Sequence, residues 1–353
     1  MLGLAILITL SSVKALSSTC PAYKCNKTNL PNQSSCSYLN TTSNITYVNP
    51  CKGDYICIST SSTSSQCQYK SSYIANSQVS GAKCLYNQDC TNSNTCIQNT
   101  CHGLSINTPC KSHLDCDVGL FCTPSNMTCV PQLKKGQLGC YEDANCVNNA
   151  GCQVFSQSNP ENNICTEYFS VDDYEVLAGC NATGDVNYLC KSGFCVDIGT
   201  SLCYPAPISA KKTPISCLNN TVCISKLTGK AEQVFTTSCN CGLNSESIMF
   251  CNIFPGDDVY NEYDSMVRDW ITSGNIMKCN TYGRFGSSCM KSYWSDSKYK
   301  EFTRKMYRAL YYPKFVNAED CVLEMAFYEY YELLDKGFGD FIALGGMIAF
   351  LIV

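Results

Sequence analysis

CLYNQDCTNSNTCIQNTCHGLSINTPCKSHLDCDVGLFCTPSNMTC, residues 84–129, decides how this chain is read. Its cysteines follow Cys-x5-Cys-x5-Cys twice, at Cys84, Cys90 and Cys96 and again at Cys110, Cys116 and Cys122, closed by Cys101 and Cys129. A third copy runs through Cys140, Cys146 and Cys152 to Cys165, so the final gap grows from 4 to 6 to 12 residues. This is an internal repeat with a period of about 26–30 residues. The loops between the cysteines are Asn, Ser, Gly and Asp without helical periodicity, which reads as short strands and turns.

Working outward, six cysteines lie between Cys20 and Cys67, four at Cys180, Cys190, Cys195 and Cys203, and eight from Cys217 to Cys321. Every group is even and can close its own bridges, although spacing alone leaves the connectivity open. In all, 30 of the 353 residues are Cys, which points to an oxidising compartment, since reducing ones keep thiols free. The hydrophobic fraction of 45% counts those cysteines; without them the apolar core is thin and the chain needs staples. A net charge of −4 excludes a charge-driven grip on nucleic acid.

The ends carry different signals. Leu2–Leu10 is an apolar run followed by Val13 and Ala15 at small-residue cleavage positions, so residues 1–15 read as a signal peptide. Residues 341–353, FIALGGMIAFLIV, hold no charge and are too few to span a bilayer unaided. They read as a GPI-attachment signal, with a short tail-anchor helix and a tail buried in the last domain as alternatives; Asp335, Gly337 and Gly339 are the chemically suitable attachment residues. Seven N-glycosylation sequons, at Asn26, Asn32, Asn40, Asn44, Asn126, Asn181 and Asn219, place the N-terminal end in solvent and outermost. Linkers are expected at Lys70–Lys83, at the Lys134–Gly136 turn and at Tyr204–Ile215.

After Cys251 the texture changes, with only four cysteines in residues 251–340. A helix capped by Asp257 or Asp258 carries Val259, Tyr263, Met266, Val267, Trp270 and Ile271 on one stripe and ends at Gly274. A second starts at Ser295 or Asp296, buries Tyr299, Phe302, Met306 and Leu310 and stops at Pro313. A third opens at Asn317, with Asp320 at the capping-box position, and ends before Gly337. Cys279 to Ser295 reads as an irregular connection. The expected fold is therefore small disulfide-rich modules of short strands and turns, followed by an α-helical C-terminal domain of about three helices. Its parts are the signal (1–15), a glycosylated Cys-rich module (16–69), tandem four-Cys repeats (84–203), a Cys-rich connector (217–251), a helical domain (252–337) and the hydrophobic tail (341–353).

Catalytic and metal chemistry find little purchase. His102 and His113 are the only histidines and sit in turns; no Cys-x2-Cys, Gly-x-Ser-x-Gly, His-Glu-x2-His or phosphate-binding glycine loop occurs. The pairs Asp115/Asp117, Asp172/Asp173 and Asp257/Asp258 lack EF-hand spacing and read as turns or N-caps. Eleven of the 23 tyrosines fall between Tyr260 and Tyr331; most read as core, with Tyr311, Tyr312, Tyr328, Tyr330 and Tyr331 as a contact surface.

The block Cys110–Cys129, with Asp115 before its second cysteine and Gly119 and Phe121 before its third, resembles the cysteine-rich module at the N-terminus of Dickkopf proteins. The repeat together with the two end signals also resembles the GPI-anchored, cysteine-rich surface proteins of free-living protists. Dickkopf proteins antagonise a signalling receptor mainly through a second module whose pattern is not found here, so the resemblance implies architecture and not that activity. The expectation is a non-enzymatic cell-surface glycoprotein for coat formation, adhesion or recognition, a rod of modules on a helical base. It has no cofactor, a protein or glycan partner and a membrane link through its tail. The alternative is a secreted ligand or inhibitor of a receptor or protease.

Overall fold

The structure is a computed structural model of the whole chain and describes residues 20–53, 55–69, 76–155, 160–177, 188–197, 201–208, 213–218, 223–226, 234–328 and 330. The signal and tail, the three candidate attachment residues, Cys180, Asn181 and Asn219 lie outside the described residues.

The chain opens with a five-stranded sheet, β1 (Ala22–Cys25), β2 (Ser35–Asn40), β3 (Ile45–Val48), β4 (Tyr55–Ser59) and β5 (Ser64–Tyr69), in the order β1-β3-β2-β5-β4. Only the β1/β3 pair is parallel. Few apolar side chains are available to hold it, and Cys36–Cys57 and Cys51–Cys67 staple its strands instead.

Each repeat is then built alike. A residue ahead of the first cysteine pairs, parallel, with the second: Gln78 with Cys90, Leu104 with Cys116, Leu133 with Cys146 and Val171 with Cys190. Five residues later a second, antiparallel bridge closes on a hairpin: Lys83 with Thr100, Pro109 with Thr128, Leu138 with Ile164 and Val176 with Leu202. The hairpins are β6 (Thr95–Ile97) with β7 (Thr100–His102), β8 (Leu120–Cys122) with β9 (Cys129–Pro131), β10 (Ala150–Gln153) with β11 (Ile164–Glu167), and β12 (Cys195–Asp197) with β13 (Ser201–Cys203). The first three modules link cysteines one to three and two to four: 84–96 and 90–101, 110–122 and 116–129, 140–152 and 146–165. In the fourth, Cys190–Cys203 is the two-to-four bridge. The tandem four-Cys repeats expected over residues 84–203 therefore share one frame, and the fourth differs from the others in its cysteine gaps. The array begins earlier than expected: residues 78–83 and 134–136, read as linkers, are the entry turns of modules one and three. Tyr204 is fully buried and is no spacer.

Next come β14 (Ser216–Cys217), β15 (Cys223–Lys226), β16 (Val234–Thr237), β17 (Cys239–Cys241) and β18 (Met249–Cys251), forming a β14-β18-β17 sheet and a β15–β16 hairpin. The bridges Cys217–Cys239 and Cys223–Cys251 hold them.

Among the described residues the helices that follow include α1 (Asp258–Thr272), α2 (Ser287–Tyr293), α3 (Asp296–Leu310), α4 (Tyr312–Phe315) and α5 (Asp320–Ala326). The caps of α1 and α3 fall at Asp257 and Ser295, and Ser295 accepts the Lys298 N–H as N-cap residues do. Gly274 ends α1 with φ +72°, a left-handed conformation that glycine adopts without cost. Four expectations are corrected. The connection after Cys279 contains α2, which its Gly- and Ser-rich flanks conceal. Pro313 ends α3 but also opens α4, where proline's missing N–H is harmless. Leu310, at the end of α3, is 60% exposed, because the chain turns at Tyr311 before that face meets a partner. The third expected helix is α5, starting after Glu319 and not at Asn317.

The modules do not stand clear of the helices as a rod on a base. Tyr168, Val171, Leu177 and Leu189 of the fourth module share one core with Met266, Trp270, Ile276, Met290, Trp294 and Phe302. Nor does every cysteine group close on itself. Cys20–Cys241 and Cys25–Cys321 join the segment of the first sheet to β17 and to α5, across separations of 221 and 296 residues. The sequon-rich sheet is thus tied to α5. Among the described residues no helix is long and apolar enough to cross a membrane.

Candidate functional site

Module construction assigns roles to several residues singled out in the sequence. The residue before the second cysteine folds its side chain over the preceding turn. Asp89 accepts N–H bonds from Leu85 and Tyr86 (2.8 and 2.9 Å), Asp115 from Lys111 and Ser112 (2.7 and 2.9 Å), and Asn145 from Tyr141 and Glu142 (3.0 and 3.3 Å). Two residues earlier, a second side chain takes the N–H of the third cysteine: Asn87 from Cys96 (2.9 Å), His113 from Cys122 (3.1 Å) and Asp143 from Cys152 (2.7 Å). The sequence carries this signal as Cys-x2-(Asn/His/Asp)-x-(Asp/Asn)-Cys, which cysteine spacing alone does not contain. His113 is therefore a turn fastener. Its Nδ1 accepts, which leaves Nε2 to donate to Glu142 at 2.8 Å.

Asp117, the neighbour of Asp115, points elsewhere. It receives Ser80 Oγ at 2.5 Å, the N–H of Val118 at 2.8 Å and of Gly103 at 3.2 Å, and lies 3.2 Å from His102 Nδ1. Burial alone would raise its carboxyl, but these hydrogen bonds outweigh that and hold it below the ordinary value. The two aspartates thus act as separate turn anchors that both join module two to module one, Asp115 by accepting the Ser93 hydroxyl and Asp117 by accepting that of Ser80. In the pair Asp172/Asp173, Asp172 meets Lys191 at 3.2 Å; in Asp257/Asp258, Asp257 is the α1 N-cap, its carboxyl raised mainly by burial.

Within each of modules one to three, cysteine sulfurs of the two bridges lie within 4.8 Å of one another. That proximity is of the kind a metal site needs. Every one of these sulfurs is oxidised in a disulfide, however, and the thiolate is the ligand form. Stacked cystines here take the place of an apolar core.

The described sequons differ in geometry. At Asn26, Asn32 and Asn126 the sequon hydroxyl donates to the asparagine Oδ1 at 2.8 Å, from Thr28, Ser34 and Thr128. At Asn40, Oδ1 accepts the Thr42 N–H at 3.0 Å. In all four the amide nitrogen, the atom a glycan would join, has no partner among the described residues. Asn44 is the exception, since its Nδ2 donates to the Cys20 carbonyl at 3.0 Å.

The aromatic surface expected near the C-terminus is divided between interior and surface, with Tyr312 and Tyr328 half-buried. Tyr330 is buried and Tyr311 half-exposed; with Tyr307, Phe315 and Phe327 they form a ring cluster in which Phe315 and Phe327 stack at 4.4 Å. Tyr331 lies outside the described residues.

The segment from Asn280 to Arg284 is the hub on which the modules converge. Asn280, fully buried, donates to the carbonyls of His113 and Cys116 (2.8 and 2.9 Å) in module two. Thr281 donates to Ala144 (2.7 Å) and Arg284 to the Asp143 carbonyl (3.2 Å) in module three, while Arg284 reaches Tyr168 Oη at 2.6 Å. From module three, Asn148 donates back to Ile276 and Cys279 (2.8 and 2.7 Å). Module one docks through Tyr293 Oη on Gly81 O (2.6 Å) and the Lys83 N–H on Ser292 Oγ (2.8 Å).

Beside that last contact a cleft of about 650 Å³ opens between module one and α2, within the range of small-molecule sites. Lys83, Gln78 and Asn99 line one wall, and Ser287, Ser288 and Lys291 the other. Asp89 also borders it, but its Oδ2 is committed to the turn of its own module.

No protein-family model, no curated protein and no solved structure matches this chain.

Proposed function

We propose that this chain is a non-enzymatic, cysteine-rich cell-surface glycoprotein that serves coat formation, adhesion or recognition. The observation that carries the reading is the bridging. Fourteen disulfides join described cysteines, and none of the described cysteines is free, a density that belongs to extracytosolic proteins. The modules spend their side chains on turns, bridges and the hub, which leaves rigid, protease-resistant loops to face outward. Unpartnered sequon nitrogens at Asn26, Asn32, Asn40 and Asn126 support glycosylation.

In this reading the apolar tail is the membrane link, and Asp335, Gly337 or Gly339 the attachment residue. The Cys25–Cys321 bridge then couples the glycosylated sheet to the helix that precedes the tail in sequence. The likeness to Dickkopf modules is proposed for the architecture of single repeats. Phosphatidylinositol-specific phospholipase C applied to intact cells, followed by non-reducing peptide mapping, tests the proposal. Release of a fully bridged glycoprotein is expected. A protein found only in the culture medium favours the secreted-ligand reading, and free thiols across the modules overturn both.

A further inference from the structure

We propose that the cleft between the first module and α2 binds an anionic saccharide, with Lys83 and Lys291 as the paired cationic contacts. The inference rests on the extracellular placement proposed above and names a ligand for that surface. The charges around the cleft point to this class. Lys135, Lys191, Lys298 and Lys305 each lie within salt-bridge distance of a carboxylate, Glu167, Asp172, Asp269 and Glu301 respectively. Lys83 and Lys291 have no such partner among the described residues, yet both border one cavity in a chain of net charge −4. The Lys291 ammonium lies 5.0 Å from the ring centre of Tyr299, which biases its direction without neutralising it.

The remaining walls select the ligand class. Ser77, Ser287 and Ser288 supply hydroxyls, and Gln78 and Asn99 supply amides, each able both to donate and to accept. A ring bearing several hydroxyls and one carboxylate or sulfate uses such a surface fully. An acidic peptide would instead need an open strand edge, and no residue lining the cleft belongs to a described strand. The site is also fixed in shape. The Lys83 backbone N–H bonds Ser292 Oγ, that hydroxyl bonds the Ser288 carbonyl at 2.8 Å, and Cys84 is bridged to Cys96. The two walls come from segments about two hundred residues apart in sequence and are held together before any ligand arrives.

The test uses the mature protein released from cells, titrated with a sulfated, uronate-containing tetrasaccharide and with the same sugar desulfated and carboxyl-reduced. Calorimetry at low and high salt is the readout. Binding of the acidic sugar, weakened by salt, is expected, with Lys83→Gln and Lys291→Gln each about tenfold weaker. Lys83→Arg should stay close to wild type and Lys135→Gln should be without effect. Equal binding of the neutral sugar, indifference to both glutamine variants, preference for a poly-glutamate peptide, or no binding at millimolar sugar would each overturn the proposal. None of these results bears on phospholipase release, so the surface reading stands or falls separately.

Discussion

His113 shows how one side chain can be read correctly only beside its counterparts. In module one the acceptor for the third cysteine's N–H is an asparagine amide and in module three an aspartate carboxylate; in module two it is an imidazole nitrogen. What the turn requires is an acceptor on a short side chain, and three residue types meet it. His113→Asn should therefore keep the module within about 1 kcal/mol of wild-type stability. His113→Leu strands the N–H of buried Cys122 and should cost about 1–3 kcal/mol. Guanidinium unfolding of the two variants with intact disulfides decides the matter, and equal losses would refute the fastener role.

At the scale of elements, the modules are small because cystines do the work of a core, and they gain position from the helices. Gly81 marks one of these dockings. With φ +88° it lies so close to the Lys278 carbonyl that an added Cβ would overlap that oxygen. Gly81→Ala should cost at least about 2 kcal/mol, through both the left-handed backbone and the forced separation. In hydrogen exchange the damage should be local, with faster exchange in residues 76–102 and unchanged protection in the hairpins of modules two and three. Uniform loss of protection would mean that the modules do not dock one by one.

Across the whole molecule, Cys20–Cys241 and Cys25–Cys321 convert a string of modules into a closed form. Taken alone, a loop of that length would be worth about 5 kcal/mol in the chain-entropy model. The other bridges and the hub already shorten the effective loop, so removing Cys25–Cys321 as the paired Cys25→Ser/Cys321→Ser variant should cost nearer 3 kcal/mol. Limited proteolysis should then cut within residues 20–69, while the segment from Cys84 to Cys165 stays intact. Loss of both regions together would show that the sheet is needed for the array to fold.

Some of this was legible in residue order because the physics is local. Cysteine spacing with Gly-, Asn- and Asp-rich loops specifies turns. Asp257, Ser295 and Gly274 mark helix ends, and a 3.6-residue apolar stripe specifies the face of α1 that meets the core. The compartment follows from the cysteine count alone. What only tertiary structure decided depends on contacts between residues far apart. These are the Val171–Cys190 and Val176–Leu202 pairings that give the fourth four-Cys block the frame of the first three; the hub at Asn280–Arg284, which reads as featureless loop; the clasp joining Cys25 to Cys321; and the two-lysine cleft. A disulfide needs only a partner at the right distance, and a buried amide only a carbonyl to meet. Neither requirement leaves a local pattern, so the chain's order names the modules while their closure around the helices is set by packing.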